Sequence, residues 1–129
     1  MVLLTAPLAV YLICLRVRPR PRKPASPSHA AMEGVSIIVP CYNEEQHLER
    51  KVQEILAECH ACNITNFEII LISDGSTDQT NMSIAQLQAE PRVRALVLDE
   101  RLGKANAVNL GMAQASHDWV ILSDVRQTI

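Results

Sequence analysis

After residue 34 the chain alternates between two textures. Four short apolar runs, VSIIVP (Val35–Pro40), FEIILIS (Phe67–Ser73), VRALVL (Val93–Leu98) and the core of DWVILSD ending at Asp124, are rich in β-branched residues. Runs of this length with little polar interruption predict strands buried on both faces. Between them the apolar residues fall three or four apart. Leu48, Val52, Ile55, Leu56 and Cys59 share one stripe of a helix, with Asn43 placed to cap it and Glu44 and Glu45 in an acidic first turn. Ile84 and Leu87 are the inward positions of a second helix that Thr77 or Asp78 caps. Gly103 to Ala115 predicts a third, packing through Ala105, Val108, Met112 and Ala115. The order β-α-β-α-β-α-β with short connections and right-handed crossovers gives an α/β fold, a Rossmann-like parallel sheet with helices on both faces.

The first 34 residues do not share this texture. Met1 to Leu15 carries no charged side chain. As a helix it reaches ~22 Å, short of the ~30 Å hydrocarbon layer, and extension to Val17 with Arg16 snorkelling brings it nearer a tilted fit. Residues 1–17 are therefore expected to form a membrane-anchor helix. Arg16, Arg18, Arg20, Arg22 and Lys23 follow the apolar run. A cleaved signal peptide, the alternative, would want its basic residues before it. The positive-inside rule then puts the C-terminal side in the cytoplasm, as a single-pass membrane protein. Residues 18–34, with prolines at 19, 21, 24 and 27, read as a basic extended linker against anionic headgroups. The remainder, 35–129, is one domain.

Charge changes the picture of what that domain can bind. From Pro24 onward seven basic residues face fourteen acidic ones, so the folded part is acidic and is not a phosphate-backbone binder. Aromatic residues make up 3% of the chain, too few for base-stacking platforms, and no nucleic acid partner is expected. A phosphorylated ligand would need local geometry or a cation. The cysteines at 14, 41, 59 and 62 form no disulfide framework. Cys59-His60-Ala61-Cys62 closes a helix instead of opening one and has no second ligand pair, so it reads as a helix end.

The unusual residues fall just beyond the strands, where ligands collect in open parallel sheets. In PCYNEE, Pro40 ends the first strand, and Tyr42 with Glu44 offers a ring for a base and a carboxylate for a ribose hydroxyl. In SDGSTD, Asp74 can accept a hydrogen bond from a base N–H, and Gly75 permits close approach to the backbone. In RLGKANAVNLG, Gly103 and Lys104 stand at a helix entrance suited to an anion. There is neither a P-loop ending nor a GxGxxG pattern, which removes most support for nucleotide hydrolysis and dinucleotide redox chemistry.

Taken in order, VSIIVPCYNEE, FEIILISDGSTDQT, RLGKANAVNLGMAQA and DWVILSDVRQ resemble the N-terminal half of glycosyltransferase family 2. The resemblance covers Gly34 to Ile129. It implies the GT-A fold and transfer of a sugar, with inversion, from a nucleotide-diphosphate donor, commonly a uridine one, to an acceptor hydroxyl. By the same resemblance Pro40, Tyr42 and Glu44 line the nucleoside pocket and Asp74 reads the base. Gly103, Lys104 and Asn109 lie beside the donor. Ser73 stands where the family pattern has an acidic residue. Asp124 matches the first aspartate of an Asp-x-Asp motif that binds magnesium or manganese.

Arg126 occupies the position of that motif's second aspartate. Either its guanidinium forks onto phosphate oxygens in partial place of the metal, or it pairs with Asp124 or faces solvent while a cation binds through Asp124 alone. The family's general base and acceptor platform lie further downstream than Ile129, so no residue here is assigned as catalytic. The expected role is the donor-binding half of a transferase, and the alternative is a non-catalytic nucleotide-binding or interaction module. An exposed sheet edge and an uncovered apolar sheet face are expected to promote self-association.

Overall fold

A computed structural model describes residues 33–127. The elements run β1 (Val35–Cys41), α1 (Leu48–Ala61), β2 (Phe67–Asp74), α2 (Thr80–Leu87), β3 (Val93–Leu98), α3 (Lys104–Gln114) and β4 (Trp119–Leu122). All strands are parallel, in the order β3-β2-β1-β4. The alternating fold expected from the apolar runs is the one observed. Succession along the sheet runs from β1 outward to β3, then returns to β4 on the other side of β1. That reversal opens a crevice at the carboxyl ends of β1 and β4, where open α/β sheets hold ligands.

Period-two alternation divides the core into two layers. Val35, Ile37, Val39, Ile69 and Leu71 pack on one face with Leu48, Val52, Ile55 and Cys59 of α1 and Ile84 of α2. Ile38, Ile70, Ile72 and Val120 pack on the other face with Ala107 and Met112 of α3. Both faces are thus covered, which is why these strands read as continuous apolar runs; the uncovered sheet face expected to promote self-association is not found among the described residues.

Two local expectations differ from the structure. The seam of α3 is Ala107 and Gly111, both buried, whereas Ala105 is exposed and Val108, Met112 and Ala115 are only half-buried. The cause is close approach: a Cβ on Gly111 would lie 2.6 Å from Ile38 Cγ2 and 2.7 Å from Ile72 Cδ1. Asn43, in turn, does not cap α1. A turn over 44–47 precedes that helix, and Leu48 N donates to Glu44 O at 3.0 Å. Asn43 adopts φ +50°, and its Oδ1 accepts from the backbone N–H groups of Thr77 and Asp78 at 2.8 and 3.3 Å. The loops after β1 and β2 are thereby locked together, helped by Glu44 N donating to Thr80 Oγ1 at 2.9 Å.

The anchor expected over 1–17, and all of the linker before Glu33, lie outside the described residues. Among the described residues no helix is long and apolar enough to cross a membrane.

Candidate functional site

Each strand end delivers a short polar segment to the same side of the sheet. Pro40 lies inside β1, one residue before its end, and Tyr42 and Glu44 follow in the loop that Asn43 ties to the β2 end. Asp74 is the last residue of β2. The segment after β3 carries Arg101 and reaches Lys104 at the start of α3. Asp124 and Arg126 follow β4, whose exit is set by Ser123 N donating to Ile38 O at 2.9 Å. Together these side chains line one cleft of about 280 Å³. A second hollow of about 270 Å³ lies between α1 and α2, away from the carboxyl ends of the strands.

Of the residues singled out from sequence, Pro40, Tyr42, Glu44, Asp74, Lys104, Asp124 and Arg126 line the cleft. Gly75, Gly103 and Asn109 do not. Gly75, at φ +66°, packs on the loop after β3; a Cβ there would meet Arg101 N at 2.5 Å, so it serves close backbone approach within the fold. Gly103, at φ +93°, precedes α3 and donates its N–H to Asp74 Oδ2 at 2.9 Å. Asn109 is exposed on α3. Ser73 is buried, its hydroxyl donating to Asn81 Oδ1 at 2.6 Å, so no charge is needed at that position.

The carboxylates are heavily engaged. Asp74 Oδ1 accepts from Leu102 N at 2.7 Å while Oδ2 holds Gly103 N, which pins the loop after β3 across the end of β2. Asp124 Oδ2 accepts from Lys104 Nζ at 2.5 Å, and Oδ1 from Arg126 N at 3.0 Å. The Lys104 hydrogen bond holds the Asp124 carboxyl below its ordinary value; partial burial opposes this, and the Arg126 amide adds to it. Arg126 Nε donates to Glu44 Oε1 at 2.8 Å. Its side chain thus pairs with Glu44, not with Asp124. Glu44 Oε2 is buried with no hydrogen-bond partner among the described residues.

Three further residues carry no signal that sequence periodicity could have read. Arg101 lays its guanidinium over the Tyr42 ring, 3.9 Å from the centroid, a cation–π contact that covers one ring face. Lys51, only 1% exposed, donates from Nζ to Gln127 O at 2.7 Å and clamps the turn after Asp124 from beneath. Burial lowers its pKa, against the pull of Glu54 and Asp124. Cys41 lines the cleft, yet burial, reinforced by Glu44, Asp78 and Asp74, pushes its thiol up to about 12, so it is no nucleophile.

Known proteins match this arrangement. The model of the family described as Glycosyl transferase family 2 matches residues 36–125. A poly-beta-1,6-N-acetyl-D-glucosamine synthase of Staphylococcus aureus (strain COL) is 37% identical over 93 residues, covering 72% of this chain and 22% of that protein. Its counterpart in Staphylococcus epidermidis (strain RP62A) is 32% identical over 122 residues, covering 94% of this chain and 29% of that protein. The chain therefore spans roughly a quarter of the length of these relatives. Among solved structures, the mannosyltransferase PcManGT from Pyrobaculum calidifontis, in complex with GDP-Man and Mn2+, superimposes with a TM-score of 0.62 at 28% identity, over 70% of this chain and 27% of that one. S. aureus TarS 1–349 in complex with UDP-GlcNAc superimposes with a TM-score of 0.56 at 24% identity, over 70% and 26% of the two chains, a likeness of fold.

Proposed function

Because the chain belongs to glycosyltransferase family 2, we propose that its cleft seats a nucleotide-diphosphate sugar, with a uridine nucleotide as the first candidate, for transfer to an acceptor hydroxyl. The observation that carries this reading is the convergence of Tyr42, Glu44, Asp74, Lys104, Asp124 and Arg126, from separate strand ends, on a single cleft at the switch point of the sheet. The base lies against the Tyr42 ring, beside or in place of the Arg101 guanidinium, and the Asp74 carboxylate, fixed by two amides, faces its edge. The unpartnered Glu44 Oε2 accepts from a ribose hydroxyl, which satisfies an otherwise orphaned buried oxygen. Lys104 and Arg126 face the diphosphate.

The solved relative PcManGT carries GDP-Man and Mn2+, so divalent-cation use belongs to the wider family. In this chain the match to that role is Asp124, which would hold magnesium or manganese jointly with phosphate oxygens. Its fit is poor. Both Asp124 oxygens are engaged, the neighbouring motif position is Arg126, and no group of three His, Cys, Asp or Glu side chains among the described residues could hold a metal ion.

Residues 35–129 act as the donor-binding unit, and residues 1–17 and 18–34 tether it to the cytoplasmic face of a membrane. The uncharged run followed by a basic cluster supports that tether. A binding module without turnover is the second reading. It is favoured by the full engagement of Asp74 and Asp124, which leaves neither free to deprotonate an acceptor.

Calorimetric titration of the full chain with UDP, GDP and ATP tests donor binding. A nucleoside diphosphate should bind, and Tyr42→Ala should weaken it about tenfold, as expected for a lost base stack. Equal affinity in wild type and Tyr42→Ala would overturn the placement of the base. Sugar release or transfer from a nucleotide sugar separates the enzyme from the binding module.

A further inference from the structure

Resting on the donor-cleft reading, we infer that this chain binds the diphosphate with built-in cations and does so without a divalent metal ion. The centre of the case is the exchange at position 126. Where the family motif carries an aspartate, the chain carries an arginine. That exchange removes one negative charge and adds one positive, the same electrostatic change that a divalent cation brings to a site with two carboxylates.

The surroundings complete the substitution. Of the seven basic residues in the otherwise acidic described chain, Lys51, Arg101, Lys104 and Arg126 gather at this cleft or directly beneath it. The three cations that line the cleft, Arg101, Lys104 and Arg126, match its three carboxylates, Glu44, Asp74 and Asp124, so no surplus of negative charge there calls for a metal ion. The Lys104 ammonium occupies the Asp124 oxygen that a metal would need, at 2.5 Å. The Arg126 side chain is 71% exposed and fixed through Nε alone to Glu44. That leaves its terminal nitrogens available for bidentate contact with phosphate oxygens. Lys51 holds the Asp124–Gln127 turn from below through the Gln127 carbonyl. Arg126 is thereby kept at the cleft rim.

Titration of the full chain with UDP and GDP in EDTA, and again in magnesium or manganese, reads this directly. The dissociation constant should agree within about twofold between the two conditions. Arg126→Gln should weaken binding about tenfold in EDTA, the scale of one charge-assisted contact. Arg126→Asp, which restores the paired carboxylates, should bind weakly in EDTA and recover on addition of manganese. Wild-type binding that needs the metal, or an Arg126→Gln variant that binds as wild type in EDTA, overturns the inference while leaving the donor site intact. Absence of nucleotide binding under both conditions overturns the donor site itself.

Discussion

Glu68 sits at the opposite end of the sheet from the cleft and is densely bonded. Its Oε1 accepts from Ser36 Oγ and Ser116 N, both at 2.6 Å, and its Oε2 from Arg94 at 2.8 Å and Ser116 Oγ at 3.2 Å. One carboxylate thus ties β1, β2, β3 and the loop before β4. Burial pushes its pKa up, but the hydrogen bonds from Ser36, Ser116 and Arg94 together outweigh burial and leave it below the ordinary 4.5. The folded state therefore binds this proton less readily than the unfolded chain does. The resulting stability is fully present above about pH 4.5 and is lost as pH falls through the lower folded value. Glu68→Gln keeps the shape but turns an acceptor toward donors. It is expected to cost about 2 kcal/mol at neutral pH, and the gap from wild type should narrow below pH 4.5. Urea titrations of both proteins at neutral and acid pH check this; a gap independent of pH would remove the clasp. A glutamate inside an apolar run gives no hint of this role, because its partners lie from 26 to 48 residues away.

The strands were legible at the level of elements because burial on both faces leaves an unbroken apolar signature. The third helix was legible as a helix and not as a packed object. KANAVNLGMAQ offers several small residues and no strong contrast between faces, so periodicity alone could not choose Ala107 and Gly111 over Ala105 and Val108. The choice is made by distance to the sheet, where a Cβ on Gly111 would press into Ile38 and Ile72. Gly111→Ala therefore sets two effects against each other. Helix propensity favours alanine by up to ~1 kcal/mol, while overpacking a tight core costs ~1–3 kcal/mol. With both intruding contacts under 3 Å, overpacking should win. The variant should unfold at lower urea with an unchanged m-value; a stabilised variant would mean that α3 can shift outward freely. The candidate site divides the same way. Tyr42, Asp74, Lys104 and Asp124 stand out by type and by position after a strand. Asn43 bridging two loops, Arg101 on the Tyr42 ring and Lys51 under the Asp124 turn depend on folding that brings distant segments together.

The sheet as a whole has two edges of different character. On β3, Arg94 projects a charge and pairs with Glu68, a feature that discourages docking of another strand. On β4, the residues Trp119 to Leu122 include no charged side chain, and Trp119 is 43% exposed. Among the described residues β4 pairs only with β1, so its other side presents free backbone donors and acceptors next to an apolar ring. That combination favours edge-to-edge pairing between copies, and we expect the chain to self-associate in this way. Any association through the N-terminal apolar run would be dispersed by mild detergent. Sedimentation velocity in detergent over a range of protein concentrations separates the two. Oligomers that persist there should fall in abundance in Trp119→Lys, since a charge on the edge must be desolvated for a second strand to dock. Nucleotide binding in the same variant should be unchanged, because Trp119 begins β4 at the end remote from Asp124. An oligomer distribution identical in wild type and variant would assign the association to another surface.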